Sequence, residues 1–256
     1  MDDISVFSSQ QREQVRGHLV AAAKADTRIA GAAHLGSAAM GLEDRWSDID
    51  LALGLIAGAD FNRVVADWTA RLYRDHAAVA NYDIRRGNIL YRVFLLENTL
   101  QVDLSFWPFG ELRATGPKFS LIFGTAEESI PAPLPNANDL IGMAWLYALH
   151  VRSSVARGRW LQAEHMLSGM RDNVLALMCK RYGVPDVQGR GLDDLPEGER
   201  VRAAECRAGS LETEELKRAF RITAEALLEE LGSTDPALAA KLTRPLKLIV
   251  LCLTFD

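Results

Sequence analysis

The sequence predicts an α+β protein in two parts. A mixed β-sheet with flanking helices comes first, and an α-helical bundle follows. Three observations support this. Strand-like runs cluster on either side of one amphipathic helix in the first half. A proline-rich stretch, Ile130–Asn138 (IPAPLPNAN), then reads as an extended linker. Beyond it nearly every segment carries a helical period. The expected domains are residues 1–130 and 137–256.

Ser8 or Ser9 can cap a helix running to about Ala25, with Val15, Leu19 and Ala22/Ala23 at helical spacing. Arg28–Gly36 (RIAGAAHLG) reads as a buried strand ending in a small-residue turn. Asp48–Leu55 (DIDLALGL) alternates charged and apolar residues and then turns fully apolar, as suits a strand whose first residues reach an open edge. Asp60–His76 is amphipathic through Val64, Val65, Trp68 and Leu72. Strands are expected at Val79–Ile84, Ile89–Leu96 and Leu100–Trp107, with turns at Arg86-Gly87-Asn88 and Glu97-Asn98. In the second half, Asn138 is expected to cap a helix of Asp139–Ala156, and Arg159–Tyr182 to end at Gly183 and Pro185. Leu211–Leu231 is expected to end at Gly232, and Pro236–Phe255 completes the bundle. Val184–Glu199 reads as a loop, and its GRGLDDLPEGER run as an exposed loop or a lid.

Composition narrows the function. With 256 residues, 48% apolar and 25% charged, the chain is an ordinary globular one. Disordered, collagen-like and disulfide-scaffold readings are excluded. The 29 basic and 34 acidic residues give a net charge of -5, unlike the basic domain or stripe of a phosphate-binding nucleic-acid partner. Residues 1–136 hold 13 basic and 17 acidic groups, and the rest 16 and 17. Cys179, Cys206 and Cys252 have no disulfide or zinc spacing and read as buried thiols. The first residues show no signal-peptide pattern, and the longest apolar run, Leu248–Phe255, is too short to cross a bilayer. A cytoplasmic protein with no membrane partner is expected.

The chemistry concentrates in Gly36–Leu51. Asp48 and Asp50, two apart on a strand, point to one face. Placed side by side they repel unless they share a cation. Hard divalent cations such as Mg²⁺ take oxygen ligands from carboxylates and from substrate phosphates. Upstream, Gly36-Ser37 closes a strand with free backbone N–H groups and a hydroxyl suited to a phosphate. Asp103 lies in an apolar strand, LQVDLSF, where a lone charge needs a partner or a metal. The bland alternative for the first pair is a solvated strand end.

Gly-Ser, about ten residues, Asp-x-Asp followed by apolar residues, and a third acidic residue on a later strand resemble the DNA polymerase β-type nucleotidyltransferases. The resemblance covers roughly residues 28–107. The helical second half further resembles the small bacterial nucleotidyltransferases that act on aminoglycosides and lincosamides. No Walker or GxGxxG motif is present. The resemblance implies two Mg²⁺ ions on Asp48, Asp50 and Asp103, and an NTP co-substrate, expected to be ATP. It also implies a small-molecule hydroxyl attacking the α-phosphorus and pyrophosphate leaving. Asp103 would complete the metal site and take the acceptor's proton. Gly36 and Ser37 would hold the β/γ-phosphates, with Arg45 and Ser47 adding phosphate contacts. A homodimer is a further expectation. An antitoxin-like or regulatory protein of the same fold, acting on a protein or RNA partner, is the alternative reading.

On the second expected helix of the bundle, Trp160, Glu164, Leu167, Arg171, Val174 and Met178 share one face at 100° per residue. Glu164 is therefore expected to face the acceptor, as catalytic base or as ligand for a cationic substrate, with Arg171 bracing it or contacting the nucleotide. The alternative is a structural ion-pair network. His34 reads as a core or turn residue. Trp107-Pro108-Phe109 reads as core packing or as a stacking surface.

Overall fold

The computed structural model describes residues 6–114, 116, 118–128 and 136–253. The chain divides into two compact units, Met1–Pro133 and Leu134–Asp256. Most of the expected linker, residues 130–135, lies outside the described residues.

In the first unit, α1 (Ser9–Ala25) starts at a capping box. The Ser8 hydroxyl accepts from the Gln11 N–H, and the Gln11 side chain accepts from the Ser8 N–H. Next come β1 (Ile29–Leu35), a short helical turn α2 (Gly36–Met40), β2 (Ile49–Leu55) and α3 (Phe61–Asp75). Asp60 caps α3, which buries Val64, Val65, Trp68 and Leu72 as its spacing predicts. β3 (Ala78–Arg86), β4 (Ile89–Leu96), β5 (Gln101–Trp107) and β6 (Phe119–Phe123) complete the unit. The six strands form one sheet in the order β3-β4-β5-β2-β1-β6. Among these six described strands only β2 and β5 pair in parallel; the other strand pairs are antiparallel.

The two faces differ. One carries Ile49, Leu51 and Leu53 of β2, Val102, Leu104 and Phe106 of β5, and Leu90 and Phe94 of β4. These pack with Leu19 of α1 and with the α3 stripe into the main core. The opposite face carries a small cluster of Ala33, Ala52, Trp107 and Leu112 at one end. Gly54 of β2 admits Leu112 there, since a Cβ would come 2.9 Å from its side chain. The other end of this face holds the carboxylates.

The second unit contains α4 (Ala137–Val155), α5 (Trp160–Tyr182), α6 (Glu197–Glu205), α7 (Thr213–Thr234) and α8 (Pro236–Leu251), packed around one apolar cluster. Inside it Arg181 grips buried Glu230 through two bonds of 2.7 and 3.0 Å.

Several expectations are corrected. The α4 cap is Asn136, whose side chain accepts from the Asn138 N–H, so the helix starts two residues before Asp139. α7 continues past Gly232, because its stop is set by Asp235, which also caps α8 before Pro236. α8 ends at Leu251, and Phe255 lies outside the described residues. The expected loop Val184–Glu199 contains two single 3₁₀ turns and the start of α6. Cys179 and Cys206 are buried, but Cys252 is exposed.

Candidate active site

The parallel pairing of β2 with β5 sets Asp50 directly beside Asp103. Both side chains leave the sheet on the same face. Asp48 lies two residues before Asp50, just ahead of β2. Carboxylate oxygens of Asp48, Asp50 and Asp103 all lie within 4.8 Å of one another, and all three residues are half-buried. Such crowding of like charges is unfavourable in isolation. A donor set made only of carboxylate oxygens fits a hard divalent cation such as Mg²⁺.

Gly36 completes the cradle. Its φ of 60° is left-handed, and a Cβ there would overlap Asp50 Oδ2. Glycine thus lets the end of β1 approach the carboxylate. Ser37 follows within α2.

Two supporting residues escaped the sequence reading. Gln101, at the start of β5, donates from its amide to Asp48 Oδ2 at 3.2 Å and to Asp103 Oδ1 at 3.1 Å. Arg12 of α1, almost fully buried, donates to the backbone carbonyls of Asp44 at 2.6 Å and Ser47 at 3.2 Å. It therefore pins the loop that delivers Asp48. Glu43 of that loop pairs with Arg16 at 2.6 Å. A buried arginine on a capped amphipathic helix is the one signal that could have marked Arg12. Nothing local marks Gln101.

The remaining expected residues are placed as follows. The Ser47 hydroxyl is engaged in a turn, accepting from the Asp44 N–H at 2.8 Å and donating to Asp44 Oδ1 at 3.1 Å. The Arg45 guanidinium packs over the Phe7 and Trp46 rings, 5.0 Å from each centroid. His34, half-buried on β1, has no hydrogen-bond partner for Nδ1 among the described residues. Glu164 and Arg171 belong to the second unit. There α5 buries Ala163, Leu167, Met170, Val174, Leu175, Leu177, Met178 and Cys179, while Trp160 is 37% exposed. Glu164 and Arg171 are half-buried, and at 100° per residue they lie between Met178 and Leu175 within this wide stripe. Glu164 accepts from the Ser168 hydroxyl at 2.6 Å, and Arg171 pairs with Asp172 at 3.3 Å.

Burial, reinforced by the Asp48 charge and opposed by the Gln101 bond, pushes the Asp103 carboxyl up to about 6. A raised carboxyl stabilises the fold below its unfolded value, near 4. That contribution is lost as pH rises through 6. In chelator, the wild type is therefore expected to lose about 2–3 kcal/mol relative to Asp103→Asn between pH 4 and pH 7. Paired denaturant titrations across that range measure it. Parallel pH profiles for the two proteins would show that Asp103 titrates normally.

No protein-family model matches the chain, and no curated protein does. Among solved structures the chain is similar to an aminoglycoside 6-adenyltransferase from Bacillus subtilis. The identity is 15% and the TM-score 0.39, over 95% of this chain and 99% of that one. It is also similar to a nucleotidyltransferase-like protein from Exiguobacterium sibiricum, at 14% identity and a TM-score of 0.37. That match covers 89% of this chain and 78% of that one. Among the described residues no helix is long and apolar enough to cross a membrane.

Proposed function

We propose that the chain is a metal-dependent nucleotidyltransferase. It moves a nucleoside monophosphate from an NTP, with ATP the expected donor, to a hydroxyl of a small molecule. The observation that carries this reading is the convergence of Asp48, Asp50 and Asp103 from β2 and β5 onto one half-buried patch. Mg²⁺ ions held by these carboxylates, two in the full reading, supply positive charge against the triphosphate and the leaving pyrophosphate. Residues 1–130 form the catalytic domain and 137–256 the helical domain.

The protein's own groups have distinct tasks. Asp103 would complete the metal site and accept the acceptor's proton. The acceptor oxygen then bonds to the α-phosphorus. The bond from that phosphorus to the β-phosphate bridge breaks, and pyrophosphate leaves. Gln101 orients Asp48 and Asp103 together. Gly36 and Ser37 would hold the triphosphate, and Arg45, placed over the Phe7 and Trp46 rings, would add a phosphate contact. Ser47 acts through the turn that it closes. Glu164 and Arg171 are assigned to the acceptor side of the complete enzyme, which works in the cytoplasm as a homodimer. Aminoglycosides and lincosamides are the first acceptors to test.

The direct test incubates the protein with each α-labelled NTP, Mg²⁺ and a panel of small hydroxyl compounds, tRNA and lysate proteins. Pyrophosphate release that needs both an NTP and a small hydroxyl compound is the expected result. Failure to bind any NTP with Mg²⁺ overturns the reading. Labelling of tRNA or of a protein would select the regulatory alternative.

A further inference from the structure

The carboxylates occupy only part of their face of the sheet. Register extends that face outward: Asp103 pairs with Val93 of β4, which pairs with Tyr82 of β3. Tyr91 and Ile84 pair one step along in one direction, and Leu95 pairs with Gln101 in the other. These five side chains form an apolar, partly aromatic strip running on from Asp103. Strands lie about 4.8 Å apart, so the strip reaches about 10 Å beyond the carboxylate, the span of one or two rings. Tyr82 is 70% exposed, Leu95 47% and Ile84 42%. The other face of the same hairpin is tied to α3. Tyr73 donates to Asn81 at 3.0 Å, and Arg92, paired with Asp83, donates to Thr69 at 2.6 Å. The hairpin is therefore held in place by one face and leaves the strip open on the other.

Resting on the nucleotidyltransferase reading, we propose that this strip is the acceptor subsite. Its occupant is an uncharged hydroxyl compound that carries a flat or apolar ring. Charge decides between this and a polycation. The five strip residues are two tyrosines, a valine, an isoleucine and a leucine, and the charged group at the end of the strip is Arg86, whose guanidinium lies 5.7 Å from the Tyr91 ring centroid. The carboxylates on the face are those assigned to the metal. An ammonium laid on the strip would exchange its water for a tyrosine face already beside the cationic Arg86, with no carboxylate there beyond those assigned to the metal, whereas a ring face gains apolar burial and stacking on tyrosine.

The test measures pyrophosphate release from ATP and Mg²⁺ with 4-nitrophenyl β-D-glucoside, kanamycin or glycerol as acceptor. ATP binding is followed separately with a fluorescent ATP analogue. The aryl glucoside is expected to give the highest kcat/KM. Tyr82→Ala and Ile84→Ser, both at exposed positions, should each raise its KM about tenfold, the effect of losing about 1.4 kcal/mol of contact. The KM for ATP should stay the same, and Tyr82→Phe should restore the acceptor KM. A preference for kanamycin overturns the inference, as does an acceptor KM that ignores Tyr82. So does a change confined to oligomeric state, which would assign the strip to a second copy of the chain. Intact ATP binding with no response to any acceptor overturns the inference alone. Absent ATP binding overturns the enzymatic reading and the inference with it.

Discussion

Asp50→Asn is expected to lower kcat/KM by about 10²–10³-fold or more while leaving the fold intact. The substitution preserves size and one carbonyl oxygen but removes the charge. Asp50 faces Asp103 across the parallel ladder and Asp48 lies within the same 4.8 Å group, so a cation bound there would be shared by all three carboxylates. The wild type should gain stability with Mg²⁺, since a ligand that binds only the folded state stabilises it by mass action. Asp50→Asn should lose most of that gain. Pyrophosphate release gives the kinetic arm, and thermal unfolding with and without 10 mM Mg²⁺ gives the linkage arm. A variant that keeps wild-type kcat/KM would remove Asp50 from the metal site, whatever its stability. A variant that is inactive and also much less stable in chelator would point to a structural role.

The parts of this site that are written locally were legible in the sequence. Asp48 and Asp50 sit two residues apart at a strand start, and Asp103 stands out as a charge in an apolar run. Both patterns follow from strand period and burial alone. What sequence spacing cannot give is register, and register makes Asp103 the neighbour of Asp50 and carries the apolar strip out to Tyr82. Arg12 and Gln101 were missed for the same reason, since the Arg12 bonds and the Gln101–Asp48 bond each span 32 or more positions. The missed elements have a different cause. α6 buries no residue, so it has no amphipathic stripe to detect. β6 is a five-residue edge strand of half-exposed residues without clean alternation. On α5 the 100° rule identified the helix, and Leu167, Val174 and Met178 of the expected face are buried, while Trp160 at its start is part-exposed. The stripe is wide enough to hold half-buried Glu164 and Arg171 among its buried neighbours.

Gly36→Ala should separate backbone strain from damage to the site. Two effects act together at this position. A φ of 60° is left-handed, which costs an alanine about 1–2 kcal/mol relative to glycine. The new Cβ also overlaps Asp50 Oδ2. That contact is with a side chain, so the fold can relieve it by turning the Asp50 carboxylate away, and doing so pulls it out of the group it shares with Asp48 and Asp103. Gly41 supplies the control. Its φ is 66°, so the strain is the same, yet nothing lies within 4 Å of the Cβ it would gain. Gly41→Ala is expected to lose about 1–2 kcal/mol of stability and to keep its kcat/KM. Gly36→Ala is expected to lose at least as much stability, and in addition about 10²-fold in kcat/KM with a weakened response to Mg²⁺. Denaturant unfolding and a Mg²⁺ titration of pyrophosphate release, run on both variants, distinguish the two effects. Equal activity in the two variants would mean that the Asp50 carboxylate does not need the space that glycine leaves, and the cradle at the end of β1 would lose its catalytic reading.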